Sequence, residues 1–192
     1  MVRLTRRRAL AAAGAAAAGG AAIGRRGGGS SLAAPAKNAD DAILGLFLVL
    51  EQVQAGFYHA ALEAGRLDGE LKDAASALAA QEDAHVKLLK RKLGDRAGGP
   101  PAMSFGSATG TPERFRANAI ALEELAIAAY IGQAANLSRP LVAPIATLVS
   151  VEARQVAWLR DLAGVSPAPR AQDPPQSGQA VLAELHKRGL LK

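Results

Sequence analysis

Four long stretches of this chain repeat apolar residues at alternating steps of three and four, and the lengths of the segments between them restrict how they can assemble. The first spans about Asp40 to Gly65, opened by Asp40 and Asp41 as capping aspartates and closed by glycine. The second runs from about Asp68, an N-cap, to Leu93, with Gly94 just beyond its end. The third opens at Thr111-Pro112-Glu113 and ends near Asn136. There Thr caps, Pro takes the first helical position and Glu meets the positive end of the helix dipole. The fourth runs from about Ser138 to Ala163; Pro140 suits its first turn, and Pro144 predicts a late start or a kink. An extended stretch, Pro167 to Pro175, follows, and a short amphipathic helix over Gly178 to Lys187 closes the chain.

The connections set the topology. The first two segments are joined by a few residues, as are the third and fourth, so each pair is an antiparallel hairpin. Between the pairs lies Asp95 to Gly110, rich in Gly, Pro and Ser. A helix of about 25 residues is roughly 38 Å long. The linker can reach roughly 50 Å when extended, so it can run the full length of a bundle. The prediction is an all-α, four-helix bundle of two antiparallel hairpins joined by a long crossover, with a short C-terminal helix added. Composition agrees: aromatic residues make up only 4% of the chain, and alanine supplies much of its apolar content. The absence of cysteine excludes disulfides, thiolate metal sites and cysteine nucleophiles.

The net charge of +6 invites a nucleic-acid reading, and its distribution defeats it. Residues 1–36 hold six arginines and no acid; removing those six from the 23 basic residues leaves 17 against 17 acidic ones. A neutral remainder carries no electrostatic footprint for phosphate, so no nucleic-acid partner is expected. The run Thr5-Arg6-Arg7-Arg8-Ala9-Leu10 resembles the twin-arginine export motif, and a weakly hydrophobic Ala/Gly stretch, Ala9 to Gly24, follows it. Ala34-Pro35-Ala36 suits a small-x-small cleavage site. The expected organisation is a signal segment over 1–36, the bundle over 37–164, and a Pro-rich tail with its short helix over 165–192. The first segment would engage the twin-arginine export machinery and send the chain across the cytoplasmic membrane, to a periplasmic, cell-envelope or secreted location. An uncleaved signal would retain it there.

Every apolar seam is interrupted by glutamate. The seams read Leu44, Phe47, Glu51, Gln54, Tyr58; then Leu71, Ala75, Leu78, Glu82, His85, Leu89; then Ile120, Glu123, Ile127, Tyr130, Ala134; then Leu141, Ile145, Leu148, Glu152, Gln155, Leu159, Leu162. An unpaired buried carboxylate costs several kcal/mol or gives up its charge. Four at one depth repel one another, and two divalent cations cancel them. Oxygen ligands with imidazole match iron or manganese. Glu82-x-x-His85 sets both ligands on one face, one turn apart. Glu51 and Tyr58 share the spacing of Glu123 and Tyr130, and Glu152 and Gln155 share that of Glu82 and His85, so the two hairpins read as an internal repeat. Of Glu123 and Glu124, only Glu123 lies on the seam; Glu124 faces a helix edge or solvent. Trp158 reads as packing, His59 and His186 as solvated, and the Lys87-Lys90-Arg91-Lys92 cluster as a solvated helix end.

On these residues the chain resembles the ferritin-like superfamily, and within it the bacterial exported ferritin-like or desiccation-related proteins. The matching stretches are Leu50-Glu51…Phe57-Tyr58, Glu82-Asp83-Ala84-His85, Leu122-Glu123…Ala129-Tyr130-Ile131-Gly132 and Val151-Glu152-Ala153-Arg154-Gln155. The resemblance implies a di-iron or di-manganese centre with Glu51, Glu82, His85, Glu123 and Glu152 as ligands. Gln155 stands where the paired motif has its second histidine, a weaker neutral ligand, and Tyr58, Tyr130 and Gln54 would brace the carboxylates. The activity implied is oxidation of Fe(II) or disposal of peroxide, with oxygen or peroxide at an open metal position. The alternative is a metal-free helical module with a structural, stress-protective or partner-binding role. A monomer or homodimer is expected over an iron-storage cage, for which the chain offers no legible interface.

Overall fold

The computed structural model describes residues 37–192, and over them the chain is helical throughout its regular structure. The long helices are α1 (Lys37–Glu63), α2 (Gly69–Leu93), α3 (Pro112–Gln133) and α4 (Arg139–Leu162), and α5 (Gly178–Lys187) is the short one. The signal segment and its cleavage site at Ala34-Pro35-Ala36 lie outside the described residues. Among the described residues, no helix is long and apolar enough to cross a membrane.

Local signals act much as the sequence predicts, with some exceptions. Thr111 caps α3 by accepting a hydrogen bond from the Arg114 amide at 3.3 Å. Gly65 and Gly94 take positive φ where α1 and α2 end, a conformation costly for any residue with a Cβ. Asp68 occupies the N-cap position of α2 without a side-chain cap bond. Asp40 and Asp41 do not open α1, which already begins at Lys37. Their carboxylates hold other segments instead: Asp40 accepts from the Ser138 amide at 2.9 Å, and Asp41 pairs with Arg96 at 2.8 Å. Pro144 neither delays nor ends α4, which starts at Arg139 and passes through it.

Those two contacts also fix the topology. Asp40 ties the start of α1 to the α3–α4 turn, and Asp41 ties it to Arg96 at the start of the crossover. At the opposite end, Arg66 donates to the Gly110 carbonyl where the crossover finishes. The crossover therefore runs the length of the bundle, and α1 lies antiparallel to both α2 and α3. α1 packs on α2, α3 packs on α4, α1 and α3 share the next largest contact, and α2 and α4 meet more sparsely. The core holds Phe47, Leu50, Phe57, Leu78, Leu89, Phe115, Leu122, Ile145, Leu148 and Leu159, and Phe57 and Phe115 stack at 5.4 Å.

α3 departs from the expected seam. Its inward stripe is Phe115, Ala119, Leu122, Glu123, Ala126, Ala129 and Tyr130, whereas Ile120 is half-buried and Ala134 is exposed in a turn beyond the helix. Ile127 is buried on another side, where it lines a pocket with Val156, Arg160 and Pro167. The cause is the C-terminal tail. Residues Leu125 to Tyr130 are all buried because the tail covers the outer side of α3, so the helix has no polar face there to set its period. The Gln176 amide donates to the Ala128 carbonyl at 2.9 Å, and a Cβ built on Gly132 would lie 1.9 Å from the Gln176 oxygen. The tail then seats Val181, Leu185, Leu190 and Leu191 in the core and pairs with the crossover through Met103 and Leu191. Trp158, expected to pack, is 39% exposed.

Candidate metal centre

Each helix delivers its glutamate to one level of the bundle. Glu51, Glu82, Glu123 and Glu152 are 0% exposed, with His85 and Gln155 nearly as buried. Ligand atoms from Glu51, Glu82, His85 and Glu152 all lie within 4.8 Å of one another, a group that can hold a metal ion. His85 Nδ1 is its hub: it stands 3.0 Å from Glu51 Oε2, 3.2 Å from Glu82 Oε2 and 3.0 Å from Glu152 Oε1. One N–H cannot serve three carboxylates. Glu152 Oε1 is accordingly a charge contact, without hydrogen-bond geometry.

The flanking groups cross between hairpins. The Tyr58 hydroxyl on α1 donates to Glu123 on α3, and the Tyr130 hydroxyl on α3 donates to Glu51 on α1. This reciprocal pair is what the equal Glu-to-Tyr spacings imply for antiparallel helices. Gln54 Nε2 donates to Glu123 Oε2 at 2.8 Å and to Glu152 Oε2 at 3.2 Å. Gln155 Nε2 donates to Glu82 Oε1 at 2.6 Å and to Gln81 Oε1 at 2.9 Å. All nine residues singled out in the sequence thus meet at one place. Glu123 stands outside the four-residue group and joins it through Gln54. Gln81 was not foreseen; an exposed polar residue beside Glu82 carries no sequence signal that separates it from a solvated one. Glu124 turns away to pair with Arg160 of α4. His59 is exposed beside Asp83, and His186 is exposed.

Electrostatics follow from burying four acids around one base. Burial pulls the His85 imidazole down, but its contacts with Glu152, Glu51 and Glu82 outweigh this and push its pKa up to about 12. Burial raises Glu123 to about 7, against the pull of Glu152 and Tyr58. Burial and the neighbouring Glu51 carboxylate push Glu82 and Glu152 well above the usual carboxylate range. Burial, then the facing carboxylates Glu123 and Glu51, push the hydroxyls of Tyr58 and Tyr130 up, so both remain donors. A divalent cation fits this donor set. It supplies the positive charge that a single imidazolium cannot, and the buried Glu152 Oε1 and Gln155 Oε1 have no hydrogen-bond donor.

Comparison with known proteins places the arrangement. The family model described as the ferritin-like domain matches residues 39–165, about two thirds of the chain and all of the centre. No curated protein matches it.

Proposed function

Because this chain belongs to the ferritin-like domain family, we propose that it is an exported protein whose bundle core holds iron or manganese and uses it to oxidise Fe(II) or remove peroxide. The observation that carries the reading is the buried group Glu51, Glu82, His85 and Glu152, three carboxylates converging on one imidazole nitrogen. Glu123 and Gln155 extend it toward a second position. A bound iron or manganese ion supplies one-electron chemistry toward oxygen or peroxide at a position without a protein ligand.

The chain's own residues set the conditions for that chemistry. Glu51, Glu82 and Glu152 bind through oxygens, and His85 binds through Nδ1 once the proton held there is released. Tyr130 and Tyr58 fix the orientation of Glu51 and Glu123 through hydrogen bonds that do not depend on solvent. Phe47, whose ring lies 4.3 Å from that of Tyr130, and the surrounding apolar core keep bulk water from the carboxylates. Export rests on the Thr5-Arg6-Arg7-Arg8-Ala9-Leu10 run, a segment that suits a folded, cofactor-loaded passenger.

Anaerobic addition of Fe(II) followed by oxygen or peroxide tests the activity. The growth of ferric absorbance should outpace a protein-free control and fall to it in Glu51→Ala. Equal rates in both proteins would remove the oxidase reading. One observation favours the alternative, a metal-free stress-protective or partner-binding module: each of the four carboxylates already has a hydrogen-bond donor. That module predicts melting indifferent to chelators, whereas an ion bound to the native state raises stability.

A further inference from the structure

We propose that the centre holds one divalent cation firmly, at Glu51, Glu82, His85 and Glu152, and that the side-chain amide of Gln54 closes the second position beside Glu123. This rests on reading the core as a metal centre. It concerns a residue that is not itself among the expected ligands.

The internal repeat makes the asymmetry visible. α1 and α3 each carry a glutamate with a tyrosine seven residues on, Glu51 with Tyr58 and Glu123 with Tyr130, and the two tyrosines reciprocate across the bundle. Three residues after Glu51 stands Gln54; three residues after Glu123 stands Ala126. Both are 0% exposed. In an antiparallel pair related by this repeat, Gln54 reaches the α3 and α4 glutamates, and Ala126 faces the equivalent place beside the α1 and α2 glutamates. Alanine offers no donor there. The place it leaves is beside the group that converges on His85.

Gln54 behaves differently. Its nitrogen gives one N–H to Glu123 Oε2 at 2.8 Å and the other to Glu152 Oε2 at 3.2 Å. A cation bridging those same two oxygens must stand between them at roughly 2.0–2.2 Å from each. The amide nitrogen and the cation compete for one place. This one amide makes both hydrogen bonds, and a cation in that place would have to displace the two together. Its own oxygen is buried without a donor, so the side chain is held by the carboxylates it serves.

The second break in the repeat acts in the same sense. Where α2 has His85, α4 has Gln155, whose nitrogen is committed to Glu82 and Gln81. The first position therefore has imidazole, and Gln155 touches only the Glu82 oxygen that His85 does not, whereas the second has an amide ligand and one amide spanning both of its oxygens. Both differences favour the first.

Anaerobic calorimetric titration with Mn(II) tests this on the mature protein. The wild type should take up one ion per chain firmly, with any second ion far weaker. Gln54→Met keeps the volume and removes the donor, and should tighten the second ion by on the order of tenfold or more. Gln54→Glu, which adds a ligand, should give two firm ions. Because Gln54→Glu also adds a fifth buried acid, Gln54→Met decides the matter if the former fails to fold. Two equally firm ions in the wild type overturn the inference and leave the metal centre standing. So does loss of the second ion in Gln54→Met, which would make Gln54 a ligand. No ion at all overturns the metal centre itself.

Discussion

Neutralising one of the buried acids, by Glu123→Gln, is expected to stabilise the chelator-treated protein at pH 8 and to change it little at pH 5. Glu123 is fully buried, and its pKa is raised from 4.5 to about 7. The folded state therefore keeps a proton that the unfolded chain has already released. Stability is fullest below pH 4.5, falls as the pH climbs to about 7, and stays lower above it. A shift of that size corresponds to about 3 kcal/mol at pH 8 and less than about 1 kcal/mol at pH 5. Glutamine is permanently neutral and nearly the same shape, so it avoids that loss. Its oxygen can keep the bond from the Gln54 amide while its new amide donates to the Tyr58 hydroxyl oxygen. For a chain of this size the gain is worth roughly 6–12 °C in melting temperature. Thermal melts with excess chelator at the two pH values read it directly. A variant that is less stable by the same amount at both pH values would refute the electrostatic account of the core.

Other perturbations separate the parts of the structure. The wild-type protein, stripped of metal, should melt progressively lower between pH 5 and pH 9. Glu123 sheds its contribution up to about 7, and His85, raised to about 12, loses its contribution as the pH climbs past the unfolded value of 6.5. Gly132→Ala places a Cβ 1.9 Å from the Gln176 oxygen and should lift the tail off α3, costing about 2–4 kcal/mol and exposing residues 165–177 to limited proteolysis. Its metal binding should be unchanged, since the centre lies on the other side of α3. Tyr130→Phe strands Glu51 Oε1 and should weaken Mn(II) roughly 10- to 100-fold in competition with a chelator. Glu124→Ala leaves the Arg160 guanidinium, with only 8% of its side chain exposed, without its carboxylate. About 1–3 kcal/mol should be lost in a urea titration.

The bundle was legible because its signals are local. Glycines mark the ends of α1 and α2, and Thr111 the start of α3, within a residue or two, and the 16 residues from Asp95 to Gly110 leave one connectivity. The centre was legible because a glutamate in an apolar seam is costly to bury unless a partner compensates its charge. Tertiary contacts that override local pattern were not. The outer side of α3 is apolar because a distant tail covers it, and no window around Ile127 reveals that partner. Asp40 and Asp41 look like caps, yet serve Ser138 and Arg96, which are far away in sequence. Trp158 looks like core by type and stands at the surface. Gln54 was readable as a brace, but which of its two atoms meets the carboxylates depends on packing.

The most direct test of the account is the metal content of protein made in iron- or manganese-supplemented cells, alongside Glu82→Ala and His85→Ala. At least one ion per wild-type chain, lost in both variants while they retain their helical circular dichroism, is the result predicted. Less than one ion per chain, unchanged in the variants, would contradict it.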